Sequence, residues 1–98
     1  MTITQDKKDS ELLMILDGRL DTTTSPNLEA ELTKALDGIT SLTFDFEKLE
    51  YISSAGLRVL LAAQKLMNGQ GSMKIIHANG IIMEIFEVTG FSDILTIE

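Results

Sequence analysis

The chain has 98 residues, 44% of them apolar and 23% charged, which is enough for one core and too little for a second domain or a large catalytic pocket. Fifteen acidic side chains against eight basic ones leave a net charge of -7, which repels phosphate backbones and anionic headgroups and so disfavours nucleic acid and membrane surfaces as partners. With no cysteine and one histidine, His77, disulfides, thiolate metal sites and thiol catalysis are excluded, and His77 alone makes no zinc site.

Met1 to Lys8 holds no long apolar run behind a positive flank, and nowhere do 18 apolar residues follow one another, so a soluble cytoplasmic chain is expected. Thr2 to Gln5 alternates polar and apolar residues, and Glu11 to Leu16 is mostly apolar, with Lys7 to Ser10 as the turn between them. That pattern predicts an edge hairpin followed by a buried strand. Asp17-Gly18 and Arg19 to Thr24 read as a loop of residues that bond their own backbone, ending at a serine N-cap, Ser25, with Pro26 at the first helical position. Leu28, Leu32, Ala35, Leu36 and Ile39 recur at helical spacing, and Asp37-Gly38 is the stop.

Leu42 to Phe46 alternates as a strand, and Glu47 to Ile52 reads as a loop. Ser53-Ser54 opens a second helix running to about Met67 and leaving through Asn68 to Gly71. Only Arg58 is polar between Leu57 and Ala63, which predicts burial over much of this helix's circumference. Met73 to Ile76 is a short strand, Asn79 caps a third helix with Ile81, Ile82, Ile85 and Phe86 inward, Gly90 ends that helix, and Ile94 to Ile97 is a last strand. Alternating strands and helices make the fold class α/β: one unit over residues 1–98, with a mixed, mostly parallel sheet, an N-terminal hairpin strand and helices packed against it.

The segment Tyr51 to Arg58 stands out because it joins the C-terminal end of a strand to a helix N-terminus, where an open parallel sheet usually places its functional groups. Two hydroxyls sit side by side there and a cap needs one; the positions three residues on are Gly56 and Leu57, so there is no capping box. Gly56 in the first turn costs roughly 1 kcal/mol relative to alanine, a cost met where another backbone or a partner approaches closely. Arg58, four residues after Ser54, shares its helix face and could pair with a phosphate on it. A plainer reading makes Ser53-Ser54 an ordinary cap and Gly56 a packing glycine, and spacing leaves both open.

A hydrolase reading fares worse. The nucleophile elbow wants glycine on both sides of its serine, and here Ile52 occupies the first of those positions while Gly56 fills the second. A triad would need His77 with Asp45 or Asp21, and His77 reads more simply as a strand-end residue. A phospho-acceptor aspartate is disfavoured too, because Asp45 lies between Phe44 and Phe46 in a strand and no adjacent acidic pair follows the first strand to hold a metal.

The hairpin, the Gly18-Arg19-Leu20-Asp21 loop, the helix, the strand Leu42 to Phe46 and the run Tyr51-Ile52-Ser53-Ser54-Ala55-Gly56-Leu57-Arg58-Val59-Leu60-Leu61 together resemble the STAS domain of bacterial anti-sigma factor antagonists. The likeness extends from about residue 2 to the C-terminus. The family's motif reads Asp-Ser-Ser-Gly-Leu. Aligned on Gly56-Leu57, Ser54 takes the phosphorylated position, Ser53 that of the aspartate and Ala55 that of the second serine, while Asp21 matches the family's loop aspartate.

The resemblance implies a partner switch rather than an enzyme. The unmodified protein would bind an anti-sigma factor that is also a serine kinase, freeing a sigma factor, and phosphorylation of Ser54 would end that binding. ATP would belong to the kinase, a metal-dependent serine phosphatase would reset the switch, and the antagonist would carry no cofactor or metal. Asp21, Thr22, Ser53, Ser54, Gly56 and Arg58 are the implied partner-binding residues. The rival reading is a STAS-like interaction subunit of a signalling scaffold or a lipid-transport assembly, in which Ser54 is never modified.

Overall fold

Burial along the strands decides which face of the sheet the helices cover. In the computed structural model, which describes residues 1–98, the elements are β1 (Thr2–Lys8), β2 (Glu11–Leu20), α1 (Ser25–Ala35), β3 (Ser41–Ile52), α2 (Ser54–Asn68), β4 (Ser72–Ile76) and α3 (Gly80–Thr89), followed by a 3-10 turn at Phe91–Asp93. The strands lie in the order β1-β2-β3-β4. β1 and β2 form the antiparallel hairpin, and β2, β3 and β4 run parallel.

Leu12, Met14, Leu16, Leu42, Phe44, Phe46, Met73 and Ile75 are all buried and alternate with half-buried neighbours, so they belong to one face. Leu28 and Leu32 of α1, Leu57, Leu60 and Met67 of α2, and Ile82 and Phe86 of α3 close over it to complete a single cluster of 23 buried side chains. Each such large side chain contributes about 1.5–3 kcal/mol on leaving water. The other face, with Leu13, Ile15, Thr43, Asp45, Lys74 and Ile76, stays partly open to solvent. No helix is long and apolar enough to cross a membrane.

Several local expectations are corrected. Asp17 to Leu20 belong to β2, and Glu47 to Ile52 is strand rather than loop, because β2 and β3 stay paired out to Leu20↔Ile52. Two bulges each insert an extra residue into β3, so the buried positions Phe46, Leu49 and Ile52 fall three apart and the period-2 signal is lost. Arg19 stacks on the Tyr51 ring, 4.6 Å from its centroid, which ties this extension together.

The cap of α1 is Thr24 rather than Ser25, and Pro26 is the second helical residue. Ser25 is buried, its amide and hydroxyl both donating to the Asp21 carbonyl, which pulls the helix start back by one residue. On α3 only Ile82 and Phe86 are buried, Ile85 packs in part, and Ile81 is 60% exposed. A ten-residue helix laid on one side of the sheet turns a single i, i+4 row inward. Ile94 to Ile97 is no strand but a single parallel bridge, Ile75↔Ile97, since the 3-10 turn uses up the length a strand would need. The Asn79 cap and the left-handed Gly90 stop stand as expected, with Asn79 accepting from the Ile82 amide at 2.9 Å and Gly90 at φ 80°.

Candidate functional site

β2 and β3 end in register at Leu20↔Ile52, and the Ser53 amide donates to the Leu20 carbonyl at 2.9 Å. Asp21 and Ser53 are thus the next residues on neighbouring parallel strands, which lie about 4.8 Å apart. One strand then turns through Asp21 to Thr24 into α1, and the other passes through Ser53 into α2. This rim is the C-terminal edge of the parallel sheet, and it collects Asp21, Thr22, Ser53, Ser54, Gly56 and Arg58 within two short segments.

The two serines divide their labour. Ser53 is the N-cap, with an extended backbone, and its Oγ accepts from the Gly56 amide at 3.4 Å. That bond is long for its type, where about 2.9–3.0 Å is usual. Ser54 is the first helical residue, is exposed, and plays no part in the cap. Its hydroxyl therefore stands at the positive end of a 15-residue helix.

Gly56 is buried beneath this turn. A Cβ there would come within 2.7 Å of Leu20 Cγ and 2.9 Å of Ile52 Cγ1, and both of those side chains are themselves buried. The glycine is what lets α2 start directly on the ends of β2 and β3, so it sets the position of Ser54 instead of presenting a surface of its own.

Asp21 is held by a dense set of local bonds. Its Oδ1 accepts from the Thr23 hydroxyl at 2.8 Å, the Thr23 amide at 3.0 Å and the Thr24 amide at 3.1 Å. The Thr24 hydroxyl accepts from the Asp21 amide and sends its single proton to the Arg19 carbonyl at 2.8 Å, nearer than the 3.2 Å to Asp21 Oδ1. The Thr23 hydroxyl, with the Thr23 and Thr24 amides, holds the Asp21 carboxyl below the usual carboxylate range. Sequence reading picked out Asp21 without these threonines; an aspartate followed two residues on by hydroxyl residues was the available signal.

A groove of about 390 Å³ runs beside the rim, between Thr22, Pro26 and Glu29 on one side and Ala55, Arg58 and Val59 on the other. Arg58 is exposed there, and the chain's two ion pairs, Lys74 with Glu98 and His77 with Asp45, leave it unpaired. Pro26 and Glu29 carried no sequence signal as groove residues, because only the packing of α1 on α2 brings them opposite Arg58.

His77 and Asp45 do meet, with Nδ1 and Oδ1 2.9 Å apart, but not at the rim. From Asp45 to Ile52 is seven steps along β3, on the order of 20 Å. No Ser54–His77–Asp45 triad forms.

Three kinds of likeness bear on this geometry. The family model described as "Mlab, STAS domain" matches residues 3–96. BtrV of Bordetella bronchiseptica, whose name designates it an anti-sigma factor antagonist, is 38% identical over 99 residues, spanning 99% of this chain and 85% of BtrV. The anti-sigma-B factor antagonist of Bacillus subtilis is 27% identical over 100 residues, spanning 99% and 92% respectively. The Bacillus cell fate determinant SpoIIAA in its phosphorylated form superposes with a TM-score of 0.77 at 16% identity, over 99% of this chain and 91% of that one, and so shares the fold. The helix-capped rim, the family match and these relatives together establish that the chain belongs to the STAS-domain family of anti-sigma factor antagonists.

Proposed function

We propose that this protein is an anti-sigma factor antagonist whose unmodified form binds an anti-sigma factor serine kinase, and that phosphorylation of Ser54 switches the binding off. The observation that carries the reading is the division between the two serines: Ser53 fills the cap, so the Ser54 hydroxyl is exposed and spare. Two relatives are named as anti-sigma factor antagonists, and a protein of the same fold exists in a phosphorylated form. The kinase brings its own ATP, Ser54 Oγ takes the γ-phosphoryl group and loses its proton, and ADP leaves. A metal-dependent serine phosphatase reverses the modification by hydrolysis.

The physical consequences follow from where the charge is placed. Phosphate adds about -1.5 to -2 charges at pH 7, and a helix N-terminus with its free amides favours them. Arg58, one turn on and unpaired, is a ready counter-charge. The fold is therefore expected to tolerate the modification. The ionised Asp21 nearby is already locked by Thr23 and Thr24 and offers the phosphate no donor. At the contact surface the new charge must shed its water, and an uncompensated buried charge costs several kcal/mol. The switch thus acts on the interface rather than on the fold, and the protein works by binding, without a reaction of its own.

The serine in place of an acid before Ser54 favours one second reading, an interaction subunit of a signalling scaffold or a lipid-transport assembly in which Ser54 stays unmodified. Calorimetric titration of Ser54→Ala and Ser54→Asp against the anti-sigma factor kinase separates the two. If desolvation costs about 3 kcal/mol, Ser54→Asp binds on the order of 100-fold more weakly than Ser54→Ala while staying folded. Equal affinities, with both variants folded, would favour the interaction subunit.

A further inference from the structure

We propose that Asp45, Glu47 and His77 form a binding site for a borderline divalent transition-metal ion, with Zn²⁺ as its representative, on the open side of the sheet. The chain order hides this cluster, since His77 lies 32 residues from Asp45. Parallel pairing of β3 with β4 sets Asp45 opposite Ile76, so the next residue, His77, arrives beside the Asp45 carboxylate, and Glu47 follows two residues along β3. One ligating atom from each of the three lies within 4.8 Å of the others.

The donor set selects the class of ion. An imidazole nitrogen with carboxylate oxygens suits zinc and its neighbours, whereas magnesium and calcium prefer oxygen alone. The spacing agrees with this. Donors each about 2.1 Å from one ion stand roughly 3.0 to 3.4 Å apart, for right-angled or tetrahedral geometry, and His77 Nδ1 is already 2.9 Å from Asp45 Oδ1. An ion at Nδ1 would take the place of the proton now shared with Asp45, and Glu47 offers a third donor, an exposed carboxylate, within 4.8 Å.

The setting leaves room for water to complete the coordination, because the His77 side chain is 56% exposed while Asp45 is 16% exposed. Two carboxylates and a neutral imidazole match a doubly charged cation. Lys48 lies close enough to act on the Asp45 charge, and Lys74, on the same open face, is paired with Glu98. Protons and metal compete for the same imidazole nitrogen, since His77 ligates only when neutral. The site lies on the order of 20 Å from Ser54 along β3, away from the rim.

Isothermal titration of the full chain with ZnCl₂, followed in parallel by the His77 imidazole resonances, tests the site. One ion per chain is expected, with the His77 resonances shifting in step, affinity falling as the pH is lowered, and excess Mg²⁺ failing to compete. Outer ligands typically alter metal affinity by about 10–100-fold, so loss of a direct ligand in Glu47→Gln should weaken binding at least about tenfold, and His77→Ala should abolish it. Glu47→Gln is isosteric and exposed, so it reports on the ligand even if His77→Ala perturbs the fold. Absence of uptake, equal affinity in the wild type and Glu47→Gln, uptake that leaves the His77 resonances unmoved, or displacement by Mg²⁺ would each overturn the proposal.

Discussion

The two ends of the parallel sheet are built with the same device and left in opposite states. At the N-terminal end, Gly71 lets the chain pass against the Thr40 backbone, and a Cβ there would lie 1.9 Å from the Thr40 carbonyl oxygen. The polar groups around it are spent on one another. Thr40 donates its amide to the Ser10 carbonyl at 2.8 Å, Ser72 donates to the Thr40 carbonyl at 2.9 Å, and Gln70 Nε2 donates to the carbonyls of Leu36 and Ile39, each at 2.7 Å. At the C-terminal end, Gly56 allows a close but looser approach, against the side chains of Leu20 and Ile52, yet the Ser54 hydroxyl stands outside the cap and Arg58 has no ion pair. Close packing alone does not mark a functional end. What sets the C-terminal end apart is its unspent polar groups, the Ser54 hydroxyl and the Arg58 guanidinium.

The largest expected effect comes from breaking the far end. Gly71→Ala sets a methyl group against backbone, which has no rotamer by which to yield, so stability should fall by about 3 kcal/mol or more, mostly by strain. For a domain of this size that is a drop of roughly 12 °C or more in Tm, read by thermal or urea unfolding. A stability within error of the wild type would show that the two segments separate easily and that the far end is less tightly closed than it looks.

Gly56→Ala should cost less, about 1–2 kcal/mol. The obstructing atoms belong to the Leu20 and Ile52 side chains, which can shift a little, and alanine returns part of the cost as helix propensity. The diagnostic readout is binding. Because α2 must ride up from the strand ends, affinity for the proposed anti-sigma factor partner should fall with Gly56→Ala while Gly71→Ala, at a temperature where it is folded, leaves affinity unchanged. Equal losses would mean that the rim has no special part in recognition.

Ser53→Ala tests the cap itself. Since the Ser53 Oγ bond to the Gly56 amide is 3.4 Å long, the loss should lie at the low end of the range for caps, about 0.5 kcal/mol, and Ser54 should remain a phosphate acceptor by intact-mass measurement. Phosphorylation that disappears with Ser53→Ala while stability is unchanged would transfer the acceptor role to Ser53.

The smallest effect is local and depends on pH. The Asp21 carboxyl has a lowered folded pKa, so its bonds to Thr23 and Thr24 stabilise the rim above the unfolded value of 3.8 and are lost as pH falls through the lowered value. Asp45 loses its own support in the same acidic range, so a global melt cannot separate them. Amide resonances of Thr23 and Thr24 should shift on acidification while those of Thr40 and Ser72 at the far end hold still. Movement at both ends together would indicate global loosening instead of a rim-specific response.

Much of the rim was legible because its signals are local. Ser54 at the head of a helix and Gly56 in the first turn are short-range patterns, and short-range chemistry is what a sequence displays directly, whereas Asp21 was singled out through the family resemblance and its threonine partners were not. Helix α2 was readable for the same reason, as were the Asn79 cap and the Gly90 stop. The outer half of β3, Glu47 to Ile52, was not. Its two bulges shift the buried positions to Phe46, Leu49 and Ile52, and a strand without its period of two looks like a loop until its partner is known.

By itself, then, the sequence determined the α/β alternation, the start of α2 and the cap and stop of α3, and a pair of hydroxyls at the start of α2, because each is encoded within a turn or two of chain. Only the tertiary structure decided that Gly56 faces inward onto Leu20 and Ile52, that Glu29 stands across a groove from Arg58, and that His77 lies beside Asp45. These are pairings between residues distant in the chain, set by strand register and by which single face of the sheet the helices bury, and no local pattern specifies them.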